Sequence, residues 1–271
     1  MAQLLADFMA TEEMPTPHIV GRGLLPVQSK LILGGSAKVG KSFVVMNIGL
    51  AIAKGTPLFN AKYPNGTIVF PVYQPNRVLY IEQEVGPQGL KRRLDSILQA
   101  RPEWQFADFY IKSKDTNLRM DSTDGILAME AEIEQVQPTV LVLDPLSKLH
   151  LSDENSAQEM GKLMKTGDKW IEKYKLSIIY VHHTGLAALD PQSMRRGGAR
   201  LRGSSSLFAD TDTMIEVNNK SGPSSQEPTL ELGIELRQGE PLPAQYVRRL
   251  RDGTIKYLGE GSQGLAVGNQ H

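Results

Sequence analysis

Between residues 29 and 55 a short apolar run, a glycine-rich turn and a long apolar helix pattern follow one another. This succession constrains the chain more than any bulk property. "SKLILGG" (Ser29–Gly35) has the length and apolarity of a buried strand. "KSFVVMNIGLAIAKG" (Lys41–Gly55) has helical spacing and a glycine stop. Between them, "GGSAKVGKS" places Gly35, four further residues, then Gly40, Lys41 and Ser42. Glycines let backbone N–H groups curl around an anion, and the helix start behind them favours negative charge. The spacing predicts a Walker A phosphate loop, with Gly35, Ser36, Ala37, Lys38, Val39, Gly40, Lys41, Ser42 and Phe43 lining a nucleotide. Lys41 is expected to reach the β- and γ-phosphates of ATP, and the Ser42 hydroxyl to ligate Mg2+.

The same rhythm of strand, loop and helix continues. "RVLYIEQE" (Arg77–Glu84) and "DFYIKSK" (Asp108–Lys114) read as strands. So do the nearly all-apolar "TVLVLDPL" (Thr139–Leu146) and "LSIIYVHHTG" (Leu176–Gly185). Helical patterns lie between them at Gly86–Ala100, Thr123–Pro138 and Ser156–Lys175, and the proline-rich stretch from Thr56 to Arg77 reads as a loop. Alternation of this kind predicts an α/β fold with a doubly wound, mostly parallel sheet. Strands so apolar are covered on both faces. "TLELGIELR" and "QYVRRLRDGTIKYLG" predict a C-terminal antiparallel extension. The expected organisation is an N-terminal helix or arm over 1–20 that contacts a neighbouring subunit, one domain over 21–258, and a disordered tail over 259–271.

Composition removes several alternatives. The 271 residues suit one large α/β domain. With no cysteine, thiolate catalysis, disulfides and Cys-based zinc sites are excluded, and a reducing, cytoplasmic setting is expected. No apolar run reaches the roughly 18 residues of a membrane span. Thirty basic and thirty acidic residues cancel, which argues against a general polyanion binder but not against a focused basic surface.

Candidate catalytic residues stand at strand ends, where doubly wound sheets bind ligands. Asp144, ending "TVLVLD", fits the Walker B acid that holds Mg2+. Glu82 and Glu84 lie on one face if their strand stays extended, and Glu84 is the preferred group to activate water. His182 and His183 end the following strand, and either of them fits a γ-phosphate sensor. The run "RRGGARLRGSSS" then gathers Arg195, Arg196, Arg200 and Arg202 in a glycine-rich segment of an otherwise neutral chain.

Lys41 with "LYIEQE", "LVLDPLSKLH", "IIYVHHTG" and "RGSSSL" resembles the RecA-like P-loop ATPases. Within them the ordered set is similar to the hexameric replicative helicases of the plasmid RepA type, and more loosely to the DnaB core. The resemblance runs to about Tyr257 and implies a homo-oligomeric ring, usually hexameric, with ATP between subunits. By resemblance Glu84 is the catalytic base, Asp144 the Walker B acid, and His183 or His182 the sensor. The family's trans-acting arginine falls at "ELRQGEP", as Arg237; DnaB-like cores often carry lysine two residues earlier, where this chain has Glu235. Two loops of such rings hold single-stranded DNA. Their places are taken by Ser147–Gln158, with Lys148, and by the segment containing Arg195, Arg196, Arg200 and Arg202. The resemblance implies an ATP-driven motor that unwinds duplex by translocating on single-stranded DNA. A recombination or repair ATPase that binds DNA without unwinding, and an ATP-driven protein-assembly switch, are the alternatives.

Overall fold

The computed structural model describes residues 3–10, 16–154, 156–183, 207, 210–222 and 224–261. A short helix α1 (Leu5–Met9) precedes an antiparallel ribbon of β1 (His18–Val20) and β2 (Leu25–Pro26). Then come β3 (Lys30–Gly35), α2 (Lys41–Lys54), β4 (Val78–Glu82), α3 (Pro87–Ala100), β5 (Phe109–Ser113) and α4 (Thr123–Val136). They are followed by β6 (Val140–Asp144), α5 (Ala157–Tyr174) and β7 (Ser177–His183). Four strands close the described chain: β8 (Thr213–Asn219), β9 (Thr229–Leu236), β10 (Gln245–Arg249) and β11 (Ile255–Glu260).

Among the described residues nine strands form one sheet in the order β11-β10-β9-β8-β3-β7-β6-β4-β5. From β8 to β5 every pairing is parallel, and from β8 to β11 every pairing is antiparallel. The expected α/β sheet with its antiparallel extension is therefore present. Its central parallel strands are buried on both faces, as their apolar runs require: β6 reads VLVLD with every residue buried, whereas the edge strand β5 has no buried residue.

Side chains alternate across the sheet and divide the core in two. Val140, Val142, Ile179 and Val181 pack with α2 and α3. Leu141, Leu143, Ile178 and Tyr180 pack with α4 and α5. Leu90, Leu94 and Ile97 bury one face of α3, while Met160, Leu163, Met164, Gly167 and Trp170 bury one face of α5. Serines cap two of these helices. Gly125 N donates to Ser122 Oγ at 3.2 Å, and Glu159 N to Ser156 Oγ at 3.3 Å, each worth about 1 kcal/mol.

Helix α2 is different, being apolar nearly all round and buried between the sheet and the C-terminal hairpin. Its one buried amide explains how the hairpin is held. Asn47 Nδ2 donates to the Gly253 carbonyl at 2.9 Å, and Asn47 Oδ1 accepts from Ile255 N at 3.1 Å. The turn between β10 and β11 is thereby fixed beside the first turns of α2, and Arg249 is brought toward the phosphate loop.

Several boundaries differ from the sequence reading. Strand β4 ends at Glu82, so Glu82 and Glu84 do not share an extended face. A bend follows because Glu82 turns inward and accepts backbone N–H groups from the next turn. The loop from Thr56 to Arg77 holds a 3-10 turn at Leu58–Asn60 and isolated bridges, Val20 with Val72 and Lys62 with Ile68. Ile19 and Val20, inside the segment expected to be an arm, are core residues. Helix α1 buries none of its residues. Gly259 and Glu260, expected in the tail, pair with Tyr246 and Gln245. Residues 262–271 lie outside the described residues.

Candidate active site

The phosphate loop connects β3 to α2 at the carboxyl edge of the parallel strands. Its backbone requires glycine twice. Gly35 has φ 153°, and a Cβ there would lie 2.6 Å from the Val217 carbonyl oxygen of β8; Gly40 has φ 105°. Gly40 is also the residue at which α2 begins, with no side-chain cap. The N–H groups of the first turn thus face the loop, the arrangement that binds phosphate.

Lys41 is buried, with 4% of its surface exposed. Its Nζ donates to the carbonyls of Gly35 and Ser36, both at 2.8 Å, and lies 3.0 Å from His183 Nδ1. Burial lowers its pKa to about 8, although Asp144 and Glu84 pull it upward. No carboxylate among the described residues forms an ion pair with it. An ammonium held by neutral acceptors beside open N–H groups is a site prepared for an anion.

Asp144, at the end of β6, is 2% exposed. Tyr80 Oη donates to its Oδ2 at 2.5 Å, and the Ser42 hydroxyl also hydrogen-bonds the carboxylate. Burial raises its pKa to about 6; the Tyr80 and Ser42 hydrogen bonds lower it, and the charges of Glu82 and Glu84 raise it. The Asp144 carboxylate beside the Ser42 hydroxyl suits a divalent cation. Among the described residues no group of three or more His, Cys, Asp or Glu forms a metal cage. That fits Mg2+, which is usually held by one or two protein oxygens together with substrate phosphates and water.

The two glutamates separate sharply. Glu82 is 2% exposed and accepts from the N–H groups of Glu84, Val85 and Gly86 and from Ser113 Oγ. With its oxygens so occupied, Glu82 builds the turn. Glu84 is exposed at that turn, and its charge reaches Lys41, Asp144 and His183.

The histidines separate as well. In the register of β3 and β7, Gly35 pairs with His183 and Gly34 with His182. His183 faces the phosphate loop and meets Lys41, while His182, one residue back, points into the layer of α4 and α5. Burial and the neighbouring Lys41 lower the pKa of His183. Burial, followed by His183, His150 and Lys41, holds His182 down at about 4.

Three site residues were missed in the sequence reading. Tyr80 is on the same face of β4 as Glu82, so period-2 alternation was the available signal. Arg93 and Arg249 each lie with Cζ 5.1 Å from the centroid of the Phe43 ring. Arg249 Nη1 would be 3.8 Å from a Cβ built on Gly40. Burial and the charge of Arg93 lower the pKa of Arg249. Two guanidinium groups on one ring, with no carboxylate ion pair among the described residues, leave positive charge beside the phosphate loop. Only the tertiary fold joins the two arginines to Phe43.

Other expected positions lie elsewhere. Lys148 is exposed at the end of a 3-10 turn, Leu146–Lys148, just past Asp144. Arg237 follows β9, and its N–H donates to the Asp212 carbonyl at 2.8 Å. Because β9 runs antiparallel to β8, with Leu236 opposite Thr213, Arg237 stands at the amino edge of the parallel strands, away from Lys41 of its own subunit. It borders a cavity of about 690 Å3 with Arg22, Asp212 and Glu240. Arg195, Arg196, Arg200 and Arg202 fall outside the described residues. Among the described residues no helix is long and apolar enough to cross a membrane.

Comparison with known proteins bears on the family and the fold. A family described as the AAA domain matches residues 1–188. The structure is similar to the ATPase domain of G40P, with 15% identity, 85% of each chain covered and a TM-score of 0.59. It is also similar to the KaiC-like protein PH0186 of Pyrococcus horikoshii OT3, with 10% identity, 88% of this chain and 93% of that chain covered, and a TM-score of 0.53. At these identities the likeness is one of fold. No curated protein sequence matches.

Proposed function

Because the chain belongs to the AAA domain family and has a RecA-like P-loop ATPase fold, we propose that it is a ring-forming motor that hydrolyses ATP while translocating on single-stranded DNA. The carrying observation is the convergence of Lys41, Ser42, Asp144 and His183 at one strand edge.

In this reading the N–H groups of the loop and Lys41 bind the β- and γ-phosphates. Lys41 exchanges its carbonyl contacts for phosphate oxygens and moves back toward its ordinary charge state. Ser42 and Asp144 would hold Mg2+, which when bound neutralises phosphate charge and favours in-line displacement. Glu84, exposed and free of the hydrogen bonds that occupy Glu82, orients the attacking water and takes up its proton. His183, beside Lys41, senses loss of the γ-phosphate. Arg93 and Arg249 meet the remaining negative charge of the nucleotide, with Phe43 as the platform between them. Arg237, at the opposite edge, serves the site of the next subunit in a hexameric ring and supplies the charge that this subunit's own site lacks.

The DNA part of the proposal rests on chain order. The segment from Thr184 to Ser204, which holds Arg195, Arg196, Arg200 and Arg202, begins directly after His183, the residue that touches Lys41. Lys148 leaves the same edge just after Asp144. Arginines on glycine-rich chain suit backbone phosphates and carry no base readout.

The test is ATP turnover with and without single-stranded DNA, in the wild type and in the triple variant Arg195→Ala/Arg196→Ala/Arg200→Ala. DNA stimulation in the wild type and none in the variant is the expected outcome, with duplex unwinding lost in parallel. Turnover that DNA leaves unchanged in both proteins overturns the motor reading and favours an ATP-driven protein-assembly switch.

A further inference from the structure

The sheet edge that carries the phosphate site has a second polar cluster on its other face. Four side chains, three of them buried and Gln83 half-buried, have buried polar atoms without a hydrogen-bond partner among the described residues: Gln83 Nε2, both ring nitrogens of His150, Tyr180 Oη and His182 Nδ1. Tyr180 and His182 belong to the α4 and α5 side. Tyr180 and His182 alternate with Val181 and His183 on β7 and so face away from Lys41. Gln83 directly follows the last residue of β4, and its N–H donates to the Asp144 carbonyl at 2.9 Å. His150 comes from the chain beyond Asp144, six per cent exposed, after a 3-10 turn that packs against β7. Its nearest carboxylate, Glu154, is 3.9 Å away. The charge of His150 also acts on His182.

Native interiors leave few such groups unpaired, since each costs about 1–3 kcal/mol. Of these, His150 and His182 lie where β6 and β7 end, directly behind the residues that meet the phosphates, whereas Tyr180 Oη lies beside Gly167 of α5. The cost is met if the groups pair in a second arrangement of the same elements.

We propose that Gln83, His150 and His182 form a transmission cluster that pairs only when nucleotide occupies the phosphate loop, coupling that site to the turn Leu146–Lys148 and the segment 149–154. The coupling is carried by the end of β7. When His183 moves to meet a γ-phosphate, its neighbour His182 moves on the opposite face. His182 and Gln83 then engage His150, which fixes the segment that holds Lys148. His150 is a positioning residue here and touches neither nucleotide nor metal. The proposal rests on the ATPase reading.

Backbone amides report the coupling. Leu151 N donates to Asp121 Oδ2 and Asp153 N to Glu159 Oε2, both at 2.7 Å. Met120 N donates to the Leu149 carbonyl at 2.8 Å. The experiment is amide hydrogen exchange of the full chain with and without Mg2+ and a non-hydrolysable ATP analogue, in the wild type and in His150→Phe. That variant fills similar space without ring nitrogens. In the wild type, exchange is expected to slow at 36–42 and, about tenfold, at 148–153. In His150→Phe the protection at 36–42 remains, that at 148–153 disappears, and the thermal midpoint does not fall. Protection at 36–42 with no change at 148–153 in the wild type overturns the coupling alone, as does an identical response in His150→Phe. An absence of protection at 36–42 in the wild type removes the ATPase reading and this proposal with it.

Discussion

Lys30 and Lys41 bracket the same strand, both buried, and the protein treats them in opposite ways. Lys30 Nζ lies 2.6 Å from Asp168 Oδ1, a carboxylate that remains half-exposed. Its charge is satisfied inside the fold. Lys41 is more deeply buried and has only carbonyls and an imidazole around its ammonium. Burying a charge without a counter-charge is costly. At the amino edge of β3 that cost is avoided, whereas at the carboxyl edge it is retained and directed at an incoming anion. The contrast separates a lysine that holds the sheet to α5 from one that holds a substrate.

Replacing each lysine by methionine gives the largest effects and the most direct way to break the comparison. Lys41→Met is expected to lower ATP turnover roughly 10²–10³-fold while leaving the thermal midpoint unchanged or higher, because an uncompensated buried charge is removed. Lys30→Met is expected to preserve turnover and to destabilise by about 1–2 kcal/mol, since the remaining Asp168 is still reached by water. Steady-state hydrolysis and thermal unfolding on the two variants check both halves. Equal losses of stability would erase the distinction.

The acid opposite Lys41 extends the test. Asp144→Asn is expected to cost roughly 10²-fold in turnover and to abolish the dependence of nucleotide affinity on Mg2+. Tyr80→Phe removes only the 2.5 Å hydrogen bond to that carboxylate, and turnover should fall less than tenfold, with about 1 kcal/mol of stability lost. If Tyr80→Phe equals Asp144→Asn, the tyrosine belongs among the groups touching substrate.

A smaller effect is expected from the arginines on Phe43. Arg249→Ala should weaken nucleotide binding about tenfold, with stability little changed because no described carboxylate loses a partner. Titration with a fluorescent ATP analogue measures it. Unchanged affinity would return Arg249 to the role of a hairpin side chain packed on an aromatic ring.

The strand-loop-helix at 29–55 was legible because short-range pattern and chemistry coincide there: Gly35 and Gly40 occupy backbone angles that the motif demands. The central parallel strands were legible for a related reason, since burial on both faces leaves an unbroken apolar run. What was not legible depends on chain reversal. Glu82 and Glu84 look equivalent in "YIEQE" until the strand stops at Glu82 and its carboxylate turns inward. Arg249 is distant from Phe43 in sequence, and Asn47, through Gly253 and Ile255, brings them together. Which histidine of "VHH" faces the phosphates is decided by the register of β7 on β3, a single-residue matter that composition does not encode.

The smallest expected effect is a proton count, and it tests both sides of the site at once. Lys41, with its pKa near 8, has partly lost its charge at pH 8.5, and bound phosphates draw the proton back. Nucleotide binding there takes up a fraction of a proton. Asp144, with its pKa near 6, is mostly protonated at pH 5.5 and must ionise to hold Mg2+, so binding there releases most of a proton. Without nucleotide the stability terms follow the same pKa values. The Lys41 contribution is present above its unfolded value of about 10.5 and is lost as pH falls through 8. The Asp144 contribution is present below about 3.8 and is lost as pH rises through 6. Calorimetric binding enthalpies in buffers of different ionisation heat should therefore show proton uptake at pH 8.5 and release at pH 5.5. Lys41→Arg should abolish the first and Asp144→Asn the second. Uptake that survives in Lys41→Arg would mean that another group, not the buried ammonium, changes its charge when phosphate arrives.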